Sequence, residues 1–103
     1  MKVQSNGETL SVTGVKELGA ANSNTFRDQV KAEFKEPQKN IEIDLSQTRV
    51  VDSSGLGALF ALYKSANNGR DTGVTLRLVN PKPSIQQLFE LTQLHQLFEI
   101  SRR

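Results

Sequence analysis

The sequence predicts an α/β fold: a single domain in which a mixed β-sheet of four to five strands has helices packed on it. Three observations lead there. Ile41-Glu42-Ile43-Asp44-Leu45 and Val74-Thr75-Leu76-Arg77-Leu78-Val79 alternate apolar and polar residues, the period of two that a half-buried strand requires. Around them apolar residues recur at helical spacing, first Phe26, Val30 and Phe34, then Leu56, Leu59, Phe60, Leu62, Tyr63 and Ala66. A helix between two strands carries the chain back across the sheet, so the later strands are expected to run parallel. Third, a length of 103 residues suits one hydrophobic core and leaves no room for a second, which makes residues 1–103 one domain.

In chain order, residues 9–15 read TLSVTGV, with Leu10 and Val12 alternating with Ser11 and Thr13. Lys2 to Gln4 is expected to pair with them through a turn at Asn6-Gly7, a dipeptide that favours hairpins. Residues 18–23 read as a small polar connection. The first helix starts within Asn22 to Thr25, with Thr25 and Asp28 in an approximate capping-box relation, and ends before Pro37. Ile41 to Leu45 is the central strand, and Val50-Val51 follows a turn at Ser46-Gln47-Thr48. A second helix is expected from Ser54 to Asn67, with Gly69 suited to a left-handed C-terminal cap. The strand Val74 to Val79 is closed by Asn80-Pro81-Lys82-Pro83, whose prolines bar both helix and ladder. Ser84 then caps a helix bearing Ile85, Leu88, Phe89 and Leu91, and Leu97 to Ile100 forms a last short strand. The expected order is ββαβαβαβ.

Composition narrows the function classes. Hydrophobic residues make up 36% and charged residues 23%, periodically spaced, which favours a folded chain. With no cysteine, neither a disulfide framework nor a thiolate metal site is expected, and a cytoplasmic location fits best. The opening MKVQSNGETLSV lacks a signal-peptide pattern, and no stretch approaches the roughly 18 apolar residues of a membrane span, so no direct membrane insertion is expected. The 13 Lys and Arg are scattered among 11 Asp and Glu, and the one adjacent basic pair is Arg102-Arg103, so no nucleic-acid partner is expected. No repeat, low-complexity segment or linker interrupts the chain.

One segment departs from the needs of packing. Val50-Val51-Asp52-Ser53-Ser54-Gly55-Leu56-Gly57 turns from strand directly into helix, at the kind of junction where open α/β sheets place their sites. A helix start presents unpaired N–H groups and about half an elementary positive charge, a seat for an anion. A purely structural reading stands beside this one, with Asp52 or Ser53 as an N-cap and the glycines permitting close helix packing.

Catalytic readings fail on spacing. A nucleophile elbow needs glycine two residues either side of its serine, and Ser53 has Val51 and Gly55. Gly55-Leu56-Gly57 leads to Phe60 where a dinucleotide fingerprint needs a small residue, and no P-loop occurs. His95, the one histidine, has no cysteine or second histidine to share a metal and reads as a surface or capping residue. Asp44 and Asp52 form no carboxylate pair. No catalytic residue, cofactor or metal is expected.

Two blocks carry a family resemblance. Ile41 to Tyr63, IEIDLSQTRVVDSSGLGALFALY, is similar to the strand, loop, Asp-Ser-Ser/Thr-Gly-Leu-Gly turn and helix of the STAS domain (sulfate transporter and anti-sigma factor antagonist), and Leu78 to Ile100 resembles its strand, proline loop and leucine-rich helix. The chain resembles most the freestanding anti-sigma factor antagonists. The resemblance implies a non-enzymatic switch in which an anti-sigma factor that is itself a serine kinase phosphorylates Ser53. It implies that the unmodified domain binds the anti-sigma factor, that the phosphorylated form lets go, and that a phosphoserine phosphatase resets it. The partner-binding residues it implies are Asp52, Ser53, Ser54, Gly55, Leu56 and Gly57, with Ala20 and Asn22 from the loop after the second strand. Alternatives within the family are an unphosphorylated STAS subunit of a lipid or anion transport assembly, and a sensory partner-switch module not acting on sigma factors.

Three departures from the family pattern carry expectations of their own. Glu17-Leu18-Gly19 has glycine where many antagonists have aspartate, removing a polar contact at the partner interface. Gln93 stands where the family usually has glycine, which makes a left-handed cap there costly. Many members add a helix beyond the position of Arg103, so an apolar sheet surface is expected to be less covered, and the protein to be a monomer or weak homodimer.

Overall fold

Alternation in the sequence becomes one apolar sheet face in the structure, a computed structural model that describes residues 1–67 and 73–103. The strands are β1 (Lys2–Asn6), β2 (Thr9–Thr13), β3 (Glu17–Leu18), β4 (Asn40–Asp44), β5 (Val50–Val51), β6 (Thr75–Val79) and β7 (Glu99–Ser101). The helices are α1 (Ser23–Glu33), α2 (Ser53–Ala66) and α3 (Pro83–Leu91), with a 3₁₀ turn over Leu94–Gln96. The main sheet has the order β1-β2-β4-β6-β7, with β1 antiparallel to β2 and every later neighbour parallel. This is the mixed sheet of the expected α/β fold.

Register aligns the side chains into rows. Val3, Val12, Ile43, Leu78 and Ile100 pair successively across the sheet, as do Leu10, Ile41 and Leu76. These residues pack in one cluster with Phe26 and Val30 of α1, Leu59 and Leu62 of α2, and Ile85 and Phe89 of α3, so the three helices share a single face of the sheet. Tyr63 and Phe89 both meet Phe98 edge to face, at centroid distances of 6.0 and 6.4 Å, closing the core under β7. The opposite face carries the row Ser11, Glu42, Arg77 and Glu99. Arg77 bridges Glu42 at 3.1 Å and Glu99 at 2.8 Å, and Arg103 binds Glu42 at 2.7 Å. The expectation of a thinly covered apolar sheet surface is therefore not met there, because ion pairs occupy that face.

Local chemistry shifts several element boundaries. Leu18, read as the start of a polar connection, instead ends the short strand Glu17–Leu18, which pairs in parallel with Val50–Val51 as a separate two-stranded sheet. Two residues are too few to show a period. The hairpin loop is Gly7-Glu8, with Gly7 at φ 61°, and β1 extends to Asn6. Helix α1 begins at Ser23, ahead of the expected Thr25 box, and its N-cap Asn22 makes no side-chain cap bond because its amide is folded back into the preceding loop. Pro83 does not bar α3 but opens it, with Lys82 rather than Ser84 as N-cap, since the first helical position needs no N–H and suits proline's fixed φ. Gln93 does adopt the left-handed conformation, at φ 65°, and leads into the 3₁₀ turn, which delays β7 to Glu99. The Gly69 cap lies outside the described residues. No described helix is long and apolar enough to cross a membrane.

Candidate functional site

Asp52 organises the start of α2. It is the N-cap, with extended backbone at φ −107° and ψ −174°, and its Oδ1 accepts the Gly55 N–H at 3.0 Å. Its Oδ2 accepts the Ala20 N–H at 3.1 Å, and its own N–H donates to the Leu18 carbonyl at 3.2 Å. The loop after β3 and the first turn of α2 are thus fastened by one residue. The Gly55 N–H, then the Ala20 N–H, hold the Asp52 carboxyl below its ordinary value against a smaller opposing effect of desolvation. The carboxylate form is the one the site is built around.

Two glycines permit this closeness. A Cβ on Gly55 would lie 2.1 Å from the Leu18 carbonyl oxygen, and one on Gly19 would lie 2.7 Å from Asp52 Oδ2. Glycine at position 19 therefore leaves the room that the Asp52 carboxylate occupies beside it. Asn22 secures the same loop, its Oδ1 accepting from the Gly19 N–H at 2.9 Å and its Nδ2 donating to the Glu17 carbonyl at 2.8 Å.

On this frame Ser53 is the first residue of α2 and is exposed, as are Ser54 and Gly57. In the first turn of the helix the Gly55 N–H is taken by the Asp52 carboxylate, and the N–H groups before it have no acceptor within the helix. Of the residues expected to form the partner-binding surface, the structure brings Asp52, Ser53, Ser54, Gly57 and Ala20 to the exterior together around the start of α2. Gly55 is buried and takes part through close packing alone, Leu56 is half-buried against the core, and both polar groups of Asn22 are engaged inside the loop. These three shape the surface more than they present it.

Two apolar residues are exposed against the sequence reading. Phe60, assigned to the apolar face of α2, is 40% exposed, and Val50, read as part of a buried strand, is 58% exposed because β5 pairs only with β3. Ser53, Gly57, Phe60 and Lys64 follow one another at i, i+4, i+7 and i+11, which makes one stripe along the helix. The Lys64 ammonium lies 5.5 Å above the Phe60 ring. Helical spacing from Ser53 marks Phe60; nothing in the sequence marks Val50.

Elsewhere, the His95 Nδ1 stands 3.4 Å from the Phe89 carbonyl oxygen near the end of α3. Among the described residues no group of three or more His, Cys, Asp or Glu could hold a metal ion.

Comparison with known proteins agrees with the motif and the fold. A family model described as the STAS domain matches residues 1–103, the full sequence. The chain belongs to the STAS domain family. Solved structures similar to this STAS domain include a Thermotoga maritima protein assigned as an anti-sigma factor antagonist, at 25% identity and a TM-score of 0.84, covering 97% of this chain and 84% of that one. An anti-sigma factor antagonist from Mycobacterium paratuberculosis matches at 20% identity and 0.80, covering 97% and 82%. SpoIIAA matches in its unphosphorylated form at 19% identity and 0.78, covering 96% and 85%. The phosphorylated form of SpoIIAA, from Bacillus, matches at 18% identity and 0.67, covering 96% and 88%.

Proposed function

We propose that this STAS domain is an anti-sigma factor antagonist whose binding is controlled by phosphorylation of Ser53. The observation that carries the reading is the exposed Ser53 hydroxyl at the first position of α2, beside a surface that includes Val50, Gly57 and Phe60. Similarity to antagonists that include SpoIIAA in both phosphorylation states supports it.

The physics of the position fits a switch. A phosphoryl group brings about −1.5 to −2 charges at pH 7. At a helix start such an anion gains roughly 0.3–1 kcal/mol from the helix dipole, so the fold should tolerate the modification. Binding should not. In a docked interface the dianion would be desolvated beside the Asp52 carboxylate, and each penalty of about 1.4 kcal/mol weakens affinity tenfold. A loss of about two to three decades needs no change of shape.

In this reading the protein is a substrate and a binder rather than an enzyme. Its partners are an anti-sigma factor serine kinase and a phosphoserine phosphatase, and it works in the cytoplasm. The test is to incubate the protein with the cognate anti-sigma factor and ATP, map the phosphate by mass spectrometry, and compare capture of that factor by wild type, Ser53→Ala and Ser53→Asp. Phosphate on Ser53, retained capture by Ser53→Ala and lost capture by Ser53→Asp are expected. Phosphate elsewhere with Ser53 clean, or equal capture by Ser53→Asp, defeats the proposal; recovery of a transport ATPase by both variants would favour the transport-assembly alternative.

A further inference from the structure

Far from Ser53, at the other end of α2, lies a cavity of about 680 Å³. Ser53 and Ala66 are separated by roughly 20 Å of helix at 1.5 Å per residue, so the cavity is distinct from the switch site. Phe34, Ile41, Leu62 and Val74 supply apolar wall, and the volume falls within the range of small-molecule sites. One side is the loop after α1, and it is fixed: buried Gln38 accepts the Lys35 N–H at 2.8 Å and donates to the Ser5 hydroxyl at 2.6 Å.

The charge at the cavity is one-sided. Among the described residues, Lys31, Lys35 and Lys39 line it against a single carboxylate, that of Glu36. Lys39 reaches Glu8 at 3.9 Å, with both side chains exposed, and among the described residues neither Lys31 nor Lys35 is ion-paired. The amide of Gln38 is already engaged, so it is not free to read the hydrogen-bonding edge of a base or a sugar. Apolar walls beneath an ammonium-rich rim suit a molecule that is greasy at one end and negative at the other.

The geometry points to this cavity as a binding site for a single-chain amphiphile with an anionic head, of the fatty-carboxylate class, its chain against Phe34 and Leu62 and its head among Lys31 and Lys35. The site does not depend on the proposed switch. The experiment is an amide NMR titration of the full chain with decanoate, decanol and decylammonium, each below its aggregation threshold. Saturable decanoate shifts confined to residues 31–41 and 62–66 and to Val74 are expected, with weaker shifts from decanol, none from decylammonium, and the same result in Ser53→Asp. The double variant Lys31→Gln, Lys35→Gln, checked for unchanged melting, should bind decanoate roughly three- to tenfold more weakly, the scale of losing two exposed charge contacts, and decanol equally well. Absence of saturable decanoate binding, equal binding of all three ligands, shifts that map elsewhere, or attachment to phosphatidylglycerol vesicles without binding of free decanoate each overturn the assignment.

Discussion

Gly55→Ala adds one methyl group at the point where α2 presses on β3. That carbon would stand 2.1 Å from the Leu18 carbonyl oxygen, 2.8 Å from its carbonyl carbon and 3.0 Å from its Cγ. Reaching even a 3.0 Å contact with the oxygen requires a retreat of about 0.9 Å (3.0 − 2.1) by backbone atoms of a fully buried residue. The same oxygen accepts the Asp52 N–H at 3.2 Å, so the retreat strains a hydrogen bond of the cap as well. Overpacking costs about 1–3 kcal/mol and a weakened hydrogen bond about 1, while alanine returns up to about 1 kcal/mol in helix propensity. The expected net loss is about 2 kcal/mol, read as a fall of about 8–16 °C in Tm for a domain of this size. Gly57→Ala is the internal control, because nothing lies within 4 Å of its added Cβ. It should stabilise the protein by about 0.4–1 kcal/mol through the unfolded state. Urea unfolding followed by circular dichroism measures both. Identical stability of wild type and Gly55→Ala, or the same loss in both variants, would refute the close-approach reasoning.

Other consequences are testable with the same melts. Thr48 is fully buried and its hydroxyl donates to the Val15 carbonyl, so Thr48→Val should cost about 1–2 kcal/mol by leaving that acceptor unmet; a neutral result would mean the bond is dispensable. Phe89 is fully buried against Phe98, and Phe89→Ala should cost about 3–5 kcal/mol in urea unfolding, a loss below 1 kcal/mol being incompatible with this core. Glu42, held down chiefly by its hydrogen bond to Arg103, and Asp52, held down chiefly by the Gly55 N–H, both have folded-state values below the ordinary ones. The folded state therefore binds fewer protons: the stability they contribute is full above about pH 5 and is lost as pH falls through the depressed values. Unfolding free energy measured from neutral to acid pH should fall less steeply below pH ~5 in Asp52→Asn and Arg103→Ala than in wild type, and parallel curves would dismiss both contributions.

Long alternating and helical segments were legible because burial of one face repeats along them. Ile41 to Leu45 shows this, since each apolar position is buried and each acidic one lies on the other face. The motif likewise located Ser53 and Asp52 at the helix start. Illegible were features set by contacts between distant segments. Leu18 gains its strand partner only when Val51 arrives beside it, and Asn22 loses its capping role because Glu17 and Gly19 claim its amide. Val50 was misread for the same reason: its exposure depends on which strands do not flank β5. Pro83 shows a different limit, as proline forbids a helix interior but favours its first residue, and sequence fixes which applies only once the N-cap is known.

The bond from Ala20 to Asp52 spans 32 positions, and the space beside it holds no Cβ at residue 19. The identity of residue 19 and the pose of Asp52 are therefore thermodynamically inseparable. Any side chain at position 19 would set its first carbon 2.7 Å from Asp52 Oδ2 and so displace the carboxylate that fastens the loop to the helix.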